Sequence, residues 1–501
     1  MTDRVMVRLR TYRDSIVLMR ITREVSALEG VEAAAVSMAT PLNIDLLERQ
    51  GFALPATPAV TPNDLVIAVR GEKAATDAAF VTVERLLEDQ RAGDPNVPRQ
   101  DRARSLASSA RARPELNMAV VSVAGTHAAT EVAWAIEAGL NVFCFSDGVA
   151  VEDEVRLKHR ALERGLLLLG PDCGTACIDG VGLGFANAVA RGPVGIVGAS
   201  GTGIQELACL LDAGHLGISH ALGVGGRDMS REVDGVMTLR CIELLAADPG
   251  TEAIVVVTKP PDHEVASRVA DALSRTGKPA LLALPGSTGE LNVQVPAEMS
   301  LDGAAEYLLK LFDLAPLAHD RPLHVHPGGG YVRGLYCGGS LCLEAMAVMA
   351  QGVDRVASNI PLRPEWRLSD VRVSDGHTFV DFGDDALTQG RAHSMLDSTL
   401  RIERFEAEAA DPDVRAIVLD VVLGYGAHPD PAGELAPSIS RALARRDDLV
   451  VVVSVCGIAS DPQGLDSQVE QLRSAGTVVT RASAGAARIA LEAVGAREAV
   501  R

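Results

Sequence analysis

Aromatic side chains are scarce in this chain: Phe, Trp and Tyr make up 3% of its 501 residues. Packing therefore falls to Ala, Val, Leu and Gly, as in α/β proteins with parallel sheets. Basic charge is in deficit too, with 47 Lys and Arg against 66 Asp and Glu and a net charge of −19. An acidic surface does not attract nucleic acid or an anionic membrane, so neither is expected as a partner. The eight Cys form no CxxC pair, and Cys144, Cys209, Cys241 and Cys456 stand in apolar contexts, which reads as reduced core thiols. No uncharged apolar run is long enough to span a bilayer, and Met1–Arg8 is too polar for a signal peptide, so a cytoplasmic protein is expected. His324 and His326 have no acidic or Cys ligand at metal spacing, so no metal is expected. At 47% hydrophobic residues the chain can bury several cores, and three or four domains are expected.

What the chain does contain is one unit written twice. Gly195-Ile-Val-Gly-Ala-Ser-Gly-Thr-Gly203 runs into an apolar helix over Ile204–Ala213, and Val332-Arg-Gly-Leu-Tyr-Cys-Gly-Gly-Ser340 runs into another over Leu341–Ala350. Ala246-Ala-Asp-Pro249 then introduces the strand Ala253–Val257, as Ala409-Ala-Asp-Pro412 introduces Ala416–Leu419. The two Asp-Pro strands share one internal offset, which indicates a duplicated α/β domain. A strand that ends in glycines and opens a helix aims backbone N–H groups and a positive dipole end at one spot, a natural seat for phosphate. Two such ends predict a pair of helices facing one phosphoryl group, with Ser200, Gly201, Thr202 and Gly203 on one side and Gly338, Gly339, Ser340 and Leu341 on the other. The first turn is not a Walker A loop, because Gly277-Lys278 is followed by Pro279, and it lacks the order of a dinucleotide or nucleophile-elbow motif. The competing reading is a tight turn that only needs glycine.

Hydrophobic periodicity and punctuation divide the chain into a small βαβ-type domain over 1–92, a polar Arg-rich linker over 93–115, and a strand–helix unit over 116–192. Two duplicated domains over 193–318 and 331–501 follow, joined by a linker over 319–330, and Arg363–Asp375 reads as a surface insertion. Strand–helix alternation implies parallel sheets with right-handed crossovers. Ligands in such sheets gather at the carboxyl ends of strands, which singles out Gly223–Asp228 and Asp381–Asp385. Arg227 could grip a carboxylate or phosphate, or merely pair with Asp228. Arg391, His393 and Asp397 lie close in sequence; His393 and Asp397 would form an acid–base pair on a helix, with helix-start chemistry as the alternative. His428 follows another strand end and is a second candidate for moving protons.

With these residues in view, the chain resembles the FdrA family, a branch of the succinyl-CoA synthetase superfamily, over essentially its whole length. The resemblance is carried by Tyr12–Ser15, Ser146-Asp147, Gly170-Pro-Asp-Cys-Gly-Thr175, Leu183-Gly-Phe-Ala-Asn187, Gly223–Asp228, Arg333–Tyr336, Asp420–Gly426 and Asp461–Gln463. It implies an α/β fold: a truncated Rossmann-like CoA-binding-type domain, then two flavodoxin-like, succinyl-CoA synthetase-type parallel-sheet domains, with a small N-terminal α+β domain. It also places Asn187 with Arg227, Asp228 and Arg391 among the substrate-binding candidates. The departures from the synthetases are local. Thr258-Lys-Pro-Pro-Asp262 stands where their α subunit has a Gly-Glu-Ile-Gly-Gly loop, and Glu264 to Ala318 holds no His for a phosphohistidine. The Gly-rich first half of the CoA-binding domain and an ATP-grasp module are missing, and Ser394 and Ser398 replace prolines usual in the FdrA pattern.

The resemblance implies a carbamoyltransferase subunit of purine and allantoin catabolism, acting on a small anionic substrate. Oxamate or oxalurate and carbamoyl phosphate would react at the two helix ends, with His393, Asp397 and His428 handling protons and further subunits completing the assembly. Self-association is left open. One alternative is an acid–CoA ligase, which would bring CoA to the site; another is a phosphate-binding scaffold whose partner performs the chemistry.

Overall fold

A computed structural model describes residues 2–54, 60–92, 105–289, 293–317 and 327–496. The chain divides into two compact units, Met1–Ala103 with Asp384–Asp397, and Arg104–Gly383 with Ser398–Arg501.

The first unit opens with β1 (Thr2–Arg8), α1 (Ser15–Ser26), β2 (Val31–Met38), α2 (Pro41–Arg49), β3 (Leu65–Gly71) and α3 (Lys73–Ala92). Its helices begin where the sequence offers caps: the Asp14 carboxylate accepts from Ile16 N and Val17 N, and the Thr40 hydroxyl accepts from Asn43 N ahead of Pro41. The sheet order is β1-β3-β2 with both neighbours antiparallel to β3, so β1 and β2 do not pair, as an adjacent βαβ arrangement would require. Alternation along β3 serves two cores. Leu65, Ile67 and Val69 pack with Leu18, Val25 and Val83, while Val66 and Ala68 pack with Leu47 and Phe52. The segment Asp384–Asp397 belongs to this unit, although its sequence position lies within the second duplicated domain. Asn43 explains the attachment: its Nδ2 donates to Gly390 O at 3.1 Å and its Oδ1 accepts from Arg391 Nη1 at 3.3 Å.

The second unit starts with α4 (Leu106–Ala112), a helix opened by a capping box between Ser105 and Ser108 inside the stretch expected to be linker. The elements β4 (Met118–Val121), α5 (Gly125–Glu137), β5 (Asn141–Cys144), α6 (Val151–Glu163) and β6 (Leu168–Leu169) follow. They form a three-stranded parallel sheet in the order β4-β5-β6. A hairpin, β7 (Thr175–Ile178) and β8 (Val181–Gly184), then leads into the first duplicated domain.

That domain contains β9 (Arg191–Ala199), α7 (Gly201–Ala213), β10 (Ile218–Gly223), α8 (Val236–Ala247), β11 (Ala253–Thr258), α9 (His263–Ser274), β12 (Ala280–Ala283), β13 (Ala297–Glu298) and α10 (Leu301–Leu311). Its sheet runs β13-β12-β11-β9-β10-β7-β8. The second domain contains β14 (Tyr331–Tyr336), α11 (Gly339–Met349), β15 (Val356–Ser358), β16 (His377–Asp381), α12 (Asp385–Thr388, in the first unit), α13 (Thr399–Ala410), β17 (Val414–Val422), α14 (Pro431–Leu443), β18 (Val450–Cys456), α15 (Leu465–Ser474), β19 (Val478–Thr480) and α16 (Ser483–Ala493). Its parallel sheet runs β15-β16-β14-β17-β18-β19.

The central strand, β9 or β14, pairs on either side with strands that follow it in sequence, so the winding direction reverses at its carboxyl end. α7 and α11 begin at these two reversal points, where doubly wound sheets bind ligands. Both helices are apolar nearly all round, with most side chains buried, because they pack in the middle of the second unit rather than on its surface.

Candidate active site

α7 and α11 meet at their N-termini. Ser200 caps α7 by accepting from Gly203 N at 3.0 Å, and its hydroxyl lies 2.5 Å from the Ser340 hydroxyl in the first turn of α11. The first intrahelical bonds run from Ile204 N to Ser200 O and from Cys342 N to Gly338 O. The N–H groups of Gly201 and Thr202, and of Gly339, Ser340 and Leu341, precede those bonds at the positive ends of the two dipoles. α11 has no side-chain cap of its own.

Charged groups from neighbouring strand ends surround the pair. Asp420, on β17, accepts from Cys337 N at 2.7 Å and from Gly338 N at 2.8 Å, and Arg401 meets it at 3.1 Å. Asp381, at the end of β16, accepts from Gly383 N at 2.8 Å. A methyl group on Gly339 would lie 2.6 Å from Asp381 Oδ2 and 3.5 Å from Lys259 Nζ, so only glycine leaves room for both at the start of α11. Lys259 follows β11 directly, and its carbonyl accepts from the Thr258 hydroxyl at 2.8 Å. Thr175, at the start of β7, has a buried hydroxyl with no hydrogen-bond partner. That hydroxyl lies 3.4 Å from where a methyl on Gly201 would sit.

Beneath the two N-termini, Glu206 and Glu344 occupy the same position in each helix, six residues past Ser200 and Gly338. Both are buried, and each accepts one backbone N–H, from Ser483 at 2.9 Å and from Leu301 at 2.6 Å. Their second oxygens have no partner. Burial, then the facing Glu344 charge, pushes the Glu206 carboxyl well up, and burial with Asp302 nearby pushes Glu344 to about 8. A protonated carboxyl at such a position leaves the dipole end above it positive.

The structure thus brings together the eight helix-start residues from Ser200–Gly203 and Gly338–Leu341, and within the same unit it gives Arg227, Asp228, Asn187 and His428 other partners. Arg227 donates to Val149 O and pairs with Glu154 at 2.8 Å, not with Asp228. Asp228 is buried and held by Lys158 at 2.6 Å and by Thr238, a node that also includes Glu154. Asn187 bridges domains, donating to Leu423 O and Asp461 Oδ2 and accepting from Gln205. His428 is buried, with Nδ1 accepting from Asp430 N and Nε2 2.9 Å from Glu434. Arg391, His393 and Asp397 lie in the first unit. The last two flank a turn over 394–396 rather than lying on a helix, and Asp397 pairs with Arg391 at 3.1 Å. His324 and His326 lie outside the described residues.

Sequence reasoning passed over Lys259, Thr175 and the two glutamates. Lys259 could have been found from its place just past a central strand, and the glutamates from their recurrence at one offset in two otherwise apolar helices.

The paired α/β domains and their facing helix ends define a class, the succinyl-CoA synthetase-like superfamily. A CoA-binding domain model matches residues 190–286, a CoA-ligase model matches 335–493, and the model of the AllF heavy metal-associated domain matches 1–103. The chain belongs to one family with "Uncharacterized protein YahF" of Escherichia coli (strain K12), with 38% identity over 511 residues covering 98% of each chain. The α 2 subunit of ADP-forming succinate–CoA ligase from Archaeoglobus fulgidus is 33% identical over 180 residues, which cover 35% of this chain and 60% of that one. The α subunit from Aquifex aeolicus is 33% identical over 147 residues, covering 28% and 47%. This chain therefore spans about half the length of those ligase subunits.

These findings correct the expectation of carbamoyl transfer. The matched domains are CoA-binding and CoA-ligase domains, and the relatives that match them are subunits of succinate–CoA ligases. Residues 1–103, which match the heavy metal-associated domain model, contain neither Cys nor His. Among the described residues, no helix is long and apolar enough to cross a membrane.

Proposed function

We propose that this chain works as an acyl-CoA ligase of the phosphate-using kind, with the phosphoryl group held between the N-termini of α7 and α11. The observation that carries this reading is the meeting of one helix end from the CoA-binding domain with one from the CoA-ligase domain, hydroxyl to hydroxyl at 2.5 Å. The step it supports joins an acyl phosphate to CoA. The thiol sulfur attacks the acyl carbon, the bond from that carbon to the phosphate oxygen breaks, and the thiol proton ends on the released phosphate. The N–H groups of Gly201, Thr202, Gly339 and Ser340 hold the departing phosphate and stabilise the charge it gains. Because those donors are fixed before the substrate arrives, they need no reorganisation during reaction.

The test supplies the purified chain with CoA and a panel of short acyl phosphates and follows thioester absorbance. Enzyme-dependent thioester formation with at least one acyl phosphate is the expected result. If none yields thioester above the uncatalysed rate, the ligase reading fails.

A further inference from the structure

We propose that Lys259 and Thr175 complete the anion site at the paired helix ends, Lys259 as the cationic ligand of the phosphoryl group and Thr175 as a hydroxyl donor to it. The inference rests on the reading of that site as a phosphate seat, and it assigns ligands from two segments that neither helix contains.

Lys259 is half-buried at the carboxyl end of β11, the neighbour of the central strand β9. Its ammonium reaches the start of α11, 3.5 Å from the methyl position of Gly339. Among the described residues it makes no hydrogen bond or ion pair, although the two carboxylates of this region, Asp381 and Asp420, flank the same helix start. Asp420 is already engaged by two backbone N–H groups and Arg401, and Asp381 accepts from Gly383 N. A half-buried cation left unpaired beside acceptors that are in use is poised for an anion from outside the chain. Thr175 supplies the second, independent observation. Thr175 is 4% exposed, and its hydroxyl has no partner although it faces the first residue of α7. A buried hydroxyl without a partner is costly, and a phosphate oxygen at the α7 N-terminus would satisfy it. Two helix ends, one ammonium and one hydroxyl then supply four kinds of donor to the oxygens of one phosphoryl group.

Two sources share this chemistry, inorganic phosphate and an acyl phosphate, and both belong in the test. The full-length chain, wild type and with Lys259→Met, Lys259→Arg or Thr175→Val, is titrated calorimetrically with inorganic phosphate and separately with acetyl phosphate. Thermal melting confirms that each variant folds. Lys259→Met is expected to weaken both ligands by about tenfold or more, Lys259→Arg to stay within about threefold, and Thr175→Val to weaken both by about three- to tenfold. Lys259→Met binding both ligands like the wild type overturns the assignment of Lys259, while the site reading stands on the wild-type binding. A loss confined to acetyl phosphate also overturns it, since the lysine would then be contacting the acyl part. Wild-type protein that binds neither ligand overturns the phosphate seat itself and this inference with it.

Discussion

Glu206 and Glu344 are the residues whose burial most needs a physical account. Among the described residues no cation pairs directly with either carboxyl; each instead takes a backbone N–H, that of Ser483 at the start of α16 or of Leu301 at the start of α10. The acidic groups around them are Asp302 and Asp420, and Arg488 sits on Asp302 at 2.7 Å. Protonation is the cheaper way to bury such a pair. The sign of the pH effect follows. Glu344 holds its proton up to about pH 8 in the folded chain, against an ordinary value of 4.5, so the folded state binds more protons between those limits. Its stabilising contribution is fully present below the ordinary value and is lost as pH rises through about 8. Glu344→Gln keeps an oxygen for Leu301 N and removes the titration. The variant should melt higher than wild type at pH 9 and show a flatter dependence of melting temperature on pH between 5 and 9. Identical slopes for the two proteins would show that the carboxyl is already ionised at neutral pH.

The paired helices depend on what the sequence leaves out at their first residues. Gly339 is such a case, because an added methyl would lie 2.6 Å from Asp381 Oδ2, closer than two unbonded atoms can rest. Gly339→Ala must therefore shift the Asp381 carboxylate or the start of α11. The expected result is phosphate binding weaker by about tenfold, ~1.4 kcal/mol, measured by calorimetry. Unchanged affinity would mean that the N–H groups of α11 do not touch the ligand.

These helix starts were legible because their signals are local, a run of glycines and hydroxyls directly after an apolar strand. The partners of isolated charges were not. Sequence proximity points Arg227 to its neighbour Asp228, yet it pairs with Glu154, which lies on α6 in the preceding sheet domain. His393 and Asp397 had the spacing of a helical pair, but the chain turns there and Arg391 takes the carboxylate. Spacing specifies a pair only when the secondary structure it presumes is present.

At the scale of the whole chain, duplication explains why the site exists. One α/β domain with a glycine-led helix at its topological switch supplies half of an anion site. Two such domains in the second unit supply both halves, and Glu206 and Glu344 share one offset from the starts of their helices. The α/β class was readable from the strand–helix alternation and the repeated Asp-Pro strands. The identity of the reaction was not, because helix ends that hold phosphate suit more than one acyl transfer. The matched CoA-binding and CoA-ligase domains, rather than any residue pattern, separate thioester chemistry from carbamoyl chemistry. The most direct test runs the step in reverse. Purified chain is mixed with an acyl-CoA and inorganic phosphate, free thiol is followed, and hydroxylamine traps any acyl phosphate. Thiol release that requires phosphate, matched mole for mole by trapped acyl phosphate and abolished by Ser200→Asp, is the predicted result. Phosphate that binds at the helix ends but releases no thiol from any acyl-CoA tested would contradict the account.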